Sequence, residues 1–172
     1  GNIHGFCNNA AASSGLGEMH SFSNTDFDKT LDLSFKMLWL SLKCEIQYLT
    51  EQSLTASIVN ISSNAALRGY ANNSIYAASK AAVNSLTLSA AKELGKKNIR
   101  INAISPGTIL TPGVENYFKQ EPNAEDYLKS SILLNRIGTP EDIGNAVSFL
   151  LSEDSKYIHG QVISIDGGSS IY

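Results

Sequence analysis

Short apolar, β-branched segments alternate with longer segments of helical periodicity along this chain, and that alternation restricts it to one class of fold. Ile3 to Cys7 is short and apolar and stops at Asn8-Asn9. After a small-residue loop from Ala10 to Gly17, Thr25-Asp26-Phe27-Asp28 has the S/T-x-x-D form of a capping box. Phe27, Leu31, Phe35, Leu38, Leu42, Ile46 and Leu49 then recur at helical spacing, predicting one long helix to about Gln52. Ser57 to Ile61 reads as a buried strand. Ser74 to Leu94 reads as an Ala-rich helix with Gly95 as its C-terminal cap. Ile99 to Ile104 is a further strand, halted by Pro106-Gly107. Thr139-Pro140-Glu141-Asp142 supplies an N-cap, a first-turn proline and acids at the positive helix end, starting a helix to about Leu151. Gln161 to Ile165 is the last strand, closed by Asp166-Gly167-Gly168. Such an order predicts parallel strands joined by crossover helices, an α/β doubly wound sheet.

With 172 residues and no repeats or linker-like stretches, residues 1–172 are expected to form a single domain. A net charge of −3 with scattered basic residues gives no electrostatic case for nucleic acid or an anionic membrane. No apolar run approaches the roughly 20 residues of a membrane span. His4, His20 and His159 are far apart, so a protein metal site is not expected. Cys7 and Cys44 form no CxxC and no disulfide framework; they read as buried free thiols in a reducing compartment, and the cytoplasm is the expected location. The chain opens on Gly1 rather than Met and runs almost at once into an apolar segment, as a start in mid-domain would.

In a doubly wound sheet ligands sit beyond the carboxyl ends of the strands. Polar clusters lie there: Asn8-Asn9, Ser62-Ser63 and the segment from Pro106 to Thr111. Tyr76 and Lys80 stand at i and i+4 on one helix face, where an ammonium near a phenol lowers the tyrosine pKa and suits it to proton transfer. The pair alone is weak, since seven tyrosines give about 0.4 chance matches to a lysine four residues on. For Ser62 and Asn60 the plainer reading is strand-end polar groups satisfied by backbone. The Asp166-Gly167-Gly168 turn reads as structural, and Trp39 as core or subunit interface.

The set as a whole resembles the single-domain short-chain dehydrogenase/reductase family. Ser63 stands 13 residues before Tyr76-x-x-x-Lys80, preceded by Asn8-Asn9-Ala10 and followed by Pro106-Gly107-Thr108-Ile109-Leu110-Thr111 and Asp166-Gly167-Gly168. The stretches YAASKAAVNSLTLSAAKELGKKNIRINAISPG and NRIGTPEDIGNAVSFLLSEDSKYIHGQVISIDGG are similar to that family throughout.

The resemblance implies a partial Rossmann-like sheet, the C-terminal part, of about four strands. It implies hydride transfer between NAD or NADP and a secondary alcohol or ketone, a small-molecule substrate. Tyr76 is then the general acid/base, Ser63 holds the substrate oxygen, and Lys80 depresses the Tyr76 pKa and binds the nicotinamide ribose. Asn9 and Ala10 line the cofactor, while Ile109 and Thr111 hold its carboxamide. Members are usually dimers or tetramers through the two long helices, so a homo-oligomer is expected. Substrate choice falls to Pro112 to about Asn135, where Val114, Tyr117, Phe118 and Leu128 form a lid.

Three departures stand against the pattern. No TGxxxGxG turn is present, Gly15-Leu16-Gly17 reads as loop, and roughly 80 residues of the family frame are missing. Ser34 occupies the position of an asparagine that supports a water relay from the lysine. Asn8-Asn9-Ala10-Ala11 replaces NNAG, adding a methyl at Ala11. The first strand would therefore have an open edge, and the isolated chain is expected to be unstable or to self-associate. The alternative is a cofactor-less remnant that acts only as a binding or oligomerisation module.

Overall fold

The computed structural model describes residues 1–171. Four strands, β1 (Gly5–Asn8), β2 (Ala56–Ile61), β3 (Ile99–Pro106) and β4 (Val162–Ile165), form one sheet in the order β1-β2-β3-β4, every pair parallel. The expected α/β sheet of about four strands is therefore present. β1 pairs only with β2 and lies at the edge of the sheet, as expected.

Side chains alternate across the pleat, and each face finds its own helices. Ile58 and Ile101 pack on one face against Leu38, Leu42, Leu49, Val83 and Leu94. These come from α2 (Met37–Glu51) and, beyond the short α3 (Ala65–Arg68), from α4 (Ser74–Leu94). Val59, Ile61 and Ile104 pack on the opposite face against Leu150, Ile143 and Val147 of α7 (Pro140–Leu151). Burial on both faces explains why β2 and β3 read as near-continuous apolar runs. No helix is long and apolar enough to cross a membrane among the described residues.

Local signals placed several elements closely. Thr139 accepts from the Asp142 N–H and Asp142 reaches back, a full capping box with Pro140 at the first position. Elsewhere the chain departs from expectation. The first helix, α1 (Asn24–Leu31), is capped by Ser23 rather than Thr25, with Asp26 as the reciprocal partner. Nor is the long helix uninterrupted: Asp32–Lys36 between α1 and α2 is a π-helical segment. One extra residue per turn there brings Ser34 inward, where it is fully buried.

Gly95 does not close α4 in a left-handed cap. Its φ is −55°, the chain continues through a 3-10 turn, and Asn98 takes the left-handed conformation instead. Gly95 matters for space, since a Cβ there would lie 3.3 Å from His159 Nε2. The thiols of Cys7 and Cys44 are free but exposed, not buried, because β1 is an edge strand and Cys44 lies outside the core stripe of α2. Trp39 is likewise no core residue; it is 44% exposed on the outer face of α2.

Candidate active site

The carboxyl ends of β1, β2 and β3 open into a crevice of about 710 Å³. Ser63 reaches it from two residues beyond β2, and Tyr76 and Lys80 from the first two turns of α4. Asn9 follows β1, and Ile109 and Thr111 follow β3. These positions, 102 residues apart at the extremes of Asn9 and Thr111, therefore line one space. Ala10 does not. It lies in a smaller hollow with Met37, Leu38 and Ser41, while Ala11 takes the place on the crevice wall. Ala11 is not among the residues with positive φ, so its methyl does not strain the turn.

Lys80 is 2% exposed, and its ammonium donates to the Ile61 carbonyl at 2.8 Å. Burial pushes its pKa down to about 8. Its Nζ lies 5.7 Å from the centre of the Tyr76 ring. The expectation that Lys80 lowers the Tyr76 pKa is corrected here. Burial raises the phenol above its ordinary value, and only hydrogen bonding with Ser63 works the other way. The ammonium is committed to the strand carbonyl and stands over the ring, so it does little for the hydroxyl.

The surrounding polar groups are mostly satisfied. Ser62 donates to the Lys80 carbonyl at 3.1 Å, holding β2 to α4 beside the site. Asn60 finds side chains rather than backbone: it donates to Thr87 at 2.9 Å and accepts from Asn8 at 3.0 Å. Ser34 donates to the Ala12 carbonyl and accepts from the Ala12 N–H, so its hydroxyl clamps the loop after β1. That commitment leaves little capacity for a water relay. Thr111 serves twice, lining the crevice and capping α5 (Pro112–Gln120) by accepting from Val114 N–H at 3.4 Å. Asp166 binds the Gly168 and Ser170 N–H groups at 3.0 and 2.9 Å, which bears out a structural role for that turn.

Sequence reasoning missed the far wall of the crevice, formed by Pro140, Ile143, Gly144 and Val147 of α7. It also missed Tyr70, which joins Tyr76, Val114, Tyr117 and Leu128 around an adjoining cavity of about 370 Å³. An aromatic residue in the polar loop before α4 was the available signal. The region expected to form a lid consists of α5 and α6 (Ala124–Ser130). Of its named residues, Val114, Tyr117 and Leu128 line the cavity, and Phe118 stacks obliquely on Tyr117 with ring centres 6.0 Å apart.

Comparisons with known proteins agree with this geometry. The family profile described as enoyl-(acyl carrier protein) reductase matches residues 1–170. Levodione reductase of Leifsonia aquatica is 39% identical over 175 residues, covering 99% of this chain and 65% of that protein. A 3-oxoacyl-(acyl-carrier-protein) reductase of Thermotoga maritima is 40% identical over 143 residues, 83% of this chain and 56% of that one. The solved structure of ElxO with NADP bound superposes with a TM-score of 0.93 at 32% identity, covering 99% of this chain and 68% of that one. The chain thus spans between about half and two thirds of the length of the relatives it matches. On profile, sequence and fold together, the chain belongs to the short-chain dehydrogenase/reductase family.

Proposed function

We propose that this chain carries the acid/base and nicotinamide-end part of an NAD(P)-dependent oxidoreductase that interconverts a secondary alcohol and a ketone. The observation that carries the reading is the convergence of Ser63, Tyr76 and Lys80 on one strand-end crevice of about 710 Å³. Support also comes from ElxO, solved with NADP, and from a relative named for reducing levodione.

The residues present fit the nicotinamide end of a dinucleotide. Lys80 spends one ammonium hydrogen on Ile61 and retains two for neighbouring hydroxyls. Asn9, Ile109 and Thr111 line the same space. No glycine-rich turn for the pyrophosphate occurs in this sequence, and NAD or NADP serves the reading equally. A bound nicotinamide supplies or accepts the hydride. Ser63 hydrogen-bonds the substrate oxygen and steadies the charge that develops on it. Tyr76 gives its proton to that oxygen in reduction and takes it back in oxidation. Burial holds the phenol above its ordinary value, so Tyr76 enters the reaction protonated. One helical turn from Tyr76, Lys80 would hold the ribose hydroxyls of the bound nucleotide.

The exposed Leu33, Met37, Trp39 and Leu40 support a homo-oligomer joined through the long helix, and the exposed free thiols suit a reducing, cytoplasmic setting. The same exposed apolar residues favour a second reading, in which the chain is only a binding or oligomerisation module. Titration of the purified chain with NADH and NADPH separates the two. Nucleotide at 100-fold excess over its dissociation constant should stabilise the fold by about 2.7 kcal/mol. Neither binding nor a melting shift would leave the module reading.

A further inference from the structure

We infer that the substrate end of this site is built for an uncharged, ring-bearing carbonyl compound and selects against anionic ones; the inference rests on the oxidoreductase reading above. A cavity of about 370 Å³ beside Ser63 and Tyr76 adjoins an outer one of about 960 Å³, with Tyr70, Tyr117 and Leu128 in the lining of both. Tyr127 and Leu16 extend the outer wall. All of these except Leu128 are at least 46% exposed. So much aromatic surface around a hollow is costly to leave in water, and its flat faces suit a ring laid against them.

The wall is tied in place from several elements. Gly17 donates to the Asn72 carbonyl at 2.9 Å, and Ser13 donates to the Asn73 side chain at 3.0 Å, joining the loop after β1 to the loop that carries Tyr70. Tyr117 stands on α5, whose first turn is capped by Thr111 beside the crevice. Two of the aromatic side chains thus stand on supported segments, Tyr70 on the loop tied to the one after β1 and Tyr117 on the capped α5.

Charge decides the class. None of the chain's 13 lysines and arginines lines either cavity, whereas Glu18 and Glu121 both stand in the wall of the outer one. Glu18 lies 3.6 Å from His20, and no ion pair engages Glu121 among the described residues. A carboxylate, phosphate or sulfate lying in the outer cavity would face Glu18 and Glu121 and find no lysine or arginine in its lining. Rejection by unpaired and like charge is an efficient source of selectivity. The hydroxyls of Ser63 and Tyr76, in the wall of the inner cavity, provide hydrogen-bonding partners for a carbonyl oxygen.

The test compares two ligands of the same shape, para-methylacetophenone and para-acetylbenzoate, by ligand-detected NMR on the purified chain. The neutral ketone should bind at least about tenfold more tightly than the carboxylate. Tyr117→Ala should weaken the neutral ketone by up to about tenfold, and Glu121→Lys should narrow the gap between the two ligands. Both residues are surface positions, and unchanged melting temperatures confirm intact variants. Equal or tighter binding of the carboxylate, no binding of the ketone, or indifference to Tyr117→Ala would overturn the inference. Failure of the oxidoreductase reading shows separately, as ketone-dependent NADPH oxidation that Tyr76→Phe leaves unchanged.

Discussion

Replacing Lys80 with methionine should change how stability depends on pH, in a direction and window that its burial dictates. Lys80 is 2% exposed, and its pKa falls from 10.5 to about 8 in the fold. Between those values the folded state binds fewer protons than the unfolded state, so this group makes stability rise with pH across that window. A gap of about 2.5 units at about 1.36 kcal/mol each is worth about 3 kcal/mol. Below the folded value the charge is buried at full cost; above the unfolded value the cost is gone. Urea unfolding of wild type and Lys80→Met at intervals from neutral pH to beyond 10.5 isolates the effect, because other groups titrating in that range cancel in the difference. Wild-type stability relative to the variant should climb by about 3 kcal/mol over the series. A flat difference, or one that falls with pH, would refute the account of Lys80 as a desolvated cation held chiefly by the Ile61 carbonyl.

Two other substitutions probe the supports of the site. Ser34→Ala removes both hydrogen bonds to Ala12 and should cost about 1–3 kcal/mol, with faster hydrogen exchange at the Ala12 amide as the local readout. Gly107→Ala would set a Cβ 2.7 Å from Asp166 Cβ and 2.9 Å from its Cα. Because one contact is backbone and cannot swing aside, a loss of about 1–3 kcal/mol in urea unfolding is expected.

What could be read from the sequence was whatever depends on near neighbours. Thr139-Pro140 and the Ala-rich run from Ser74 to Leu94 carry their own boundaries, and α7 and α4 begin and end where those residues say. The strand-end rule sufficed to bring Asn9, Ser63, Ile109 and Thr111 to one crevice, since it needs only strand direction, whereas Tyr76 and Lys80, on α4, were joined to them by the family resemblance. Features set by distant neighbours were not legible. Periodicity passes smoothly through Asp32–Lys36, so the π-helical segment that buries Ser34 left no trace in spacing. An apolar setting in sequence placed Cys7 inside and Trp39 in the core or a subunit interface, but which strand lies at the edge and which helix face is covered are decided across the sheet. The Tyr76 pKa failed for the same reason: the i, i+4 spacing puts Lys80 on the right face without revealing that Ile61 claims its ammonium.

The most direct test of the central claim is the rate of NADPH and NADH oxidation by this chain with a neutral aryl ketone, for wild type and Tyr76→Phe. Losing the proton donor should lower the rate by about 100- to 10,000-fold while the fold and nucleotide binding persist. A Tyr76→Phe variant within about twofold of wild type would contradict the assignment of Tyr76 as the acid/base of this site.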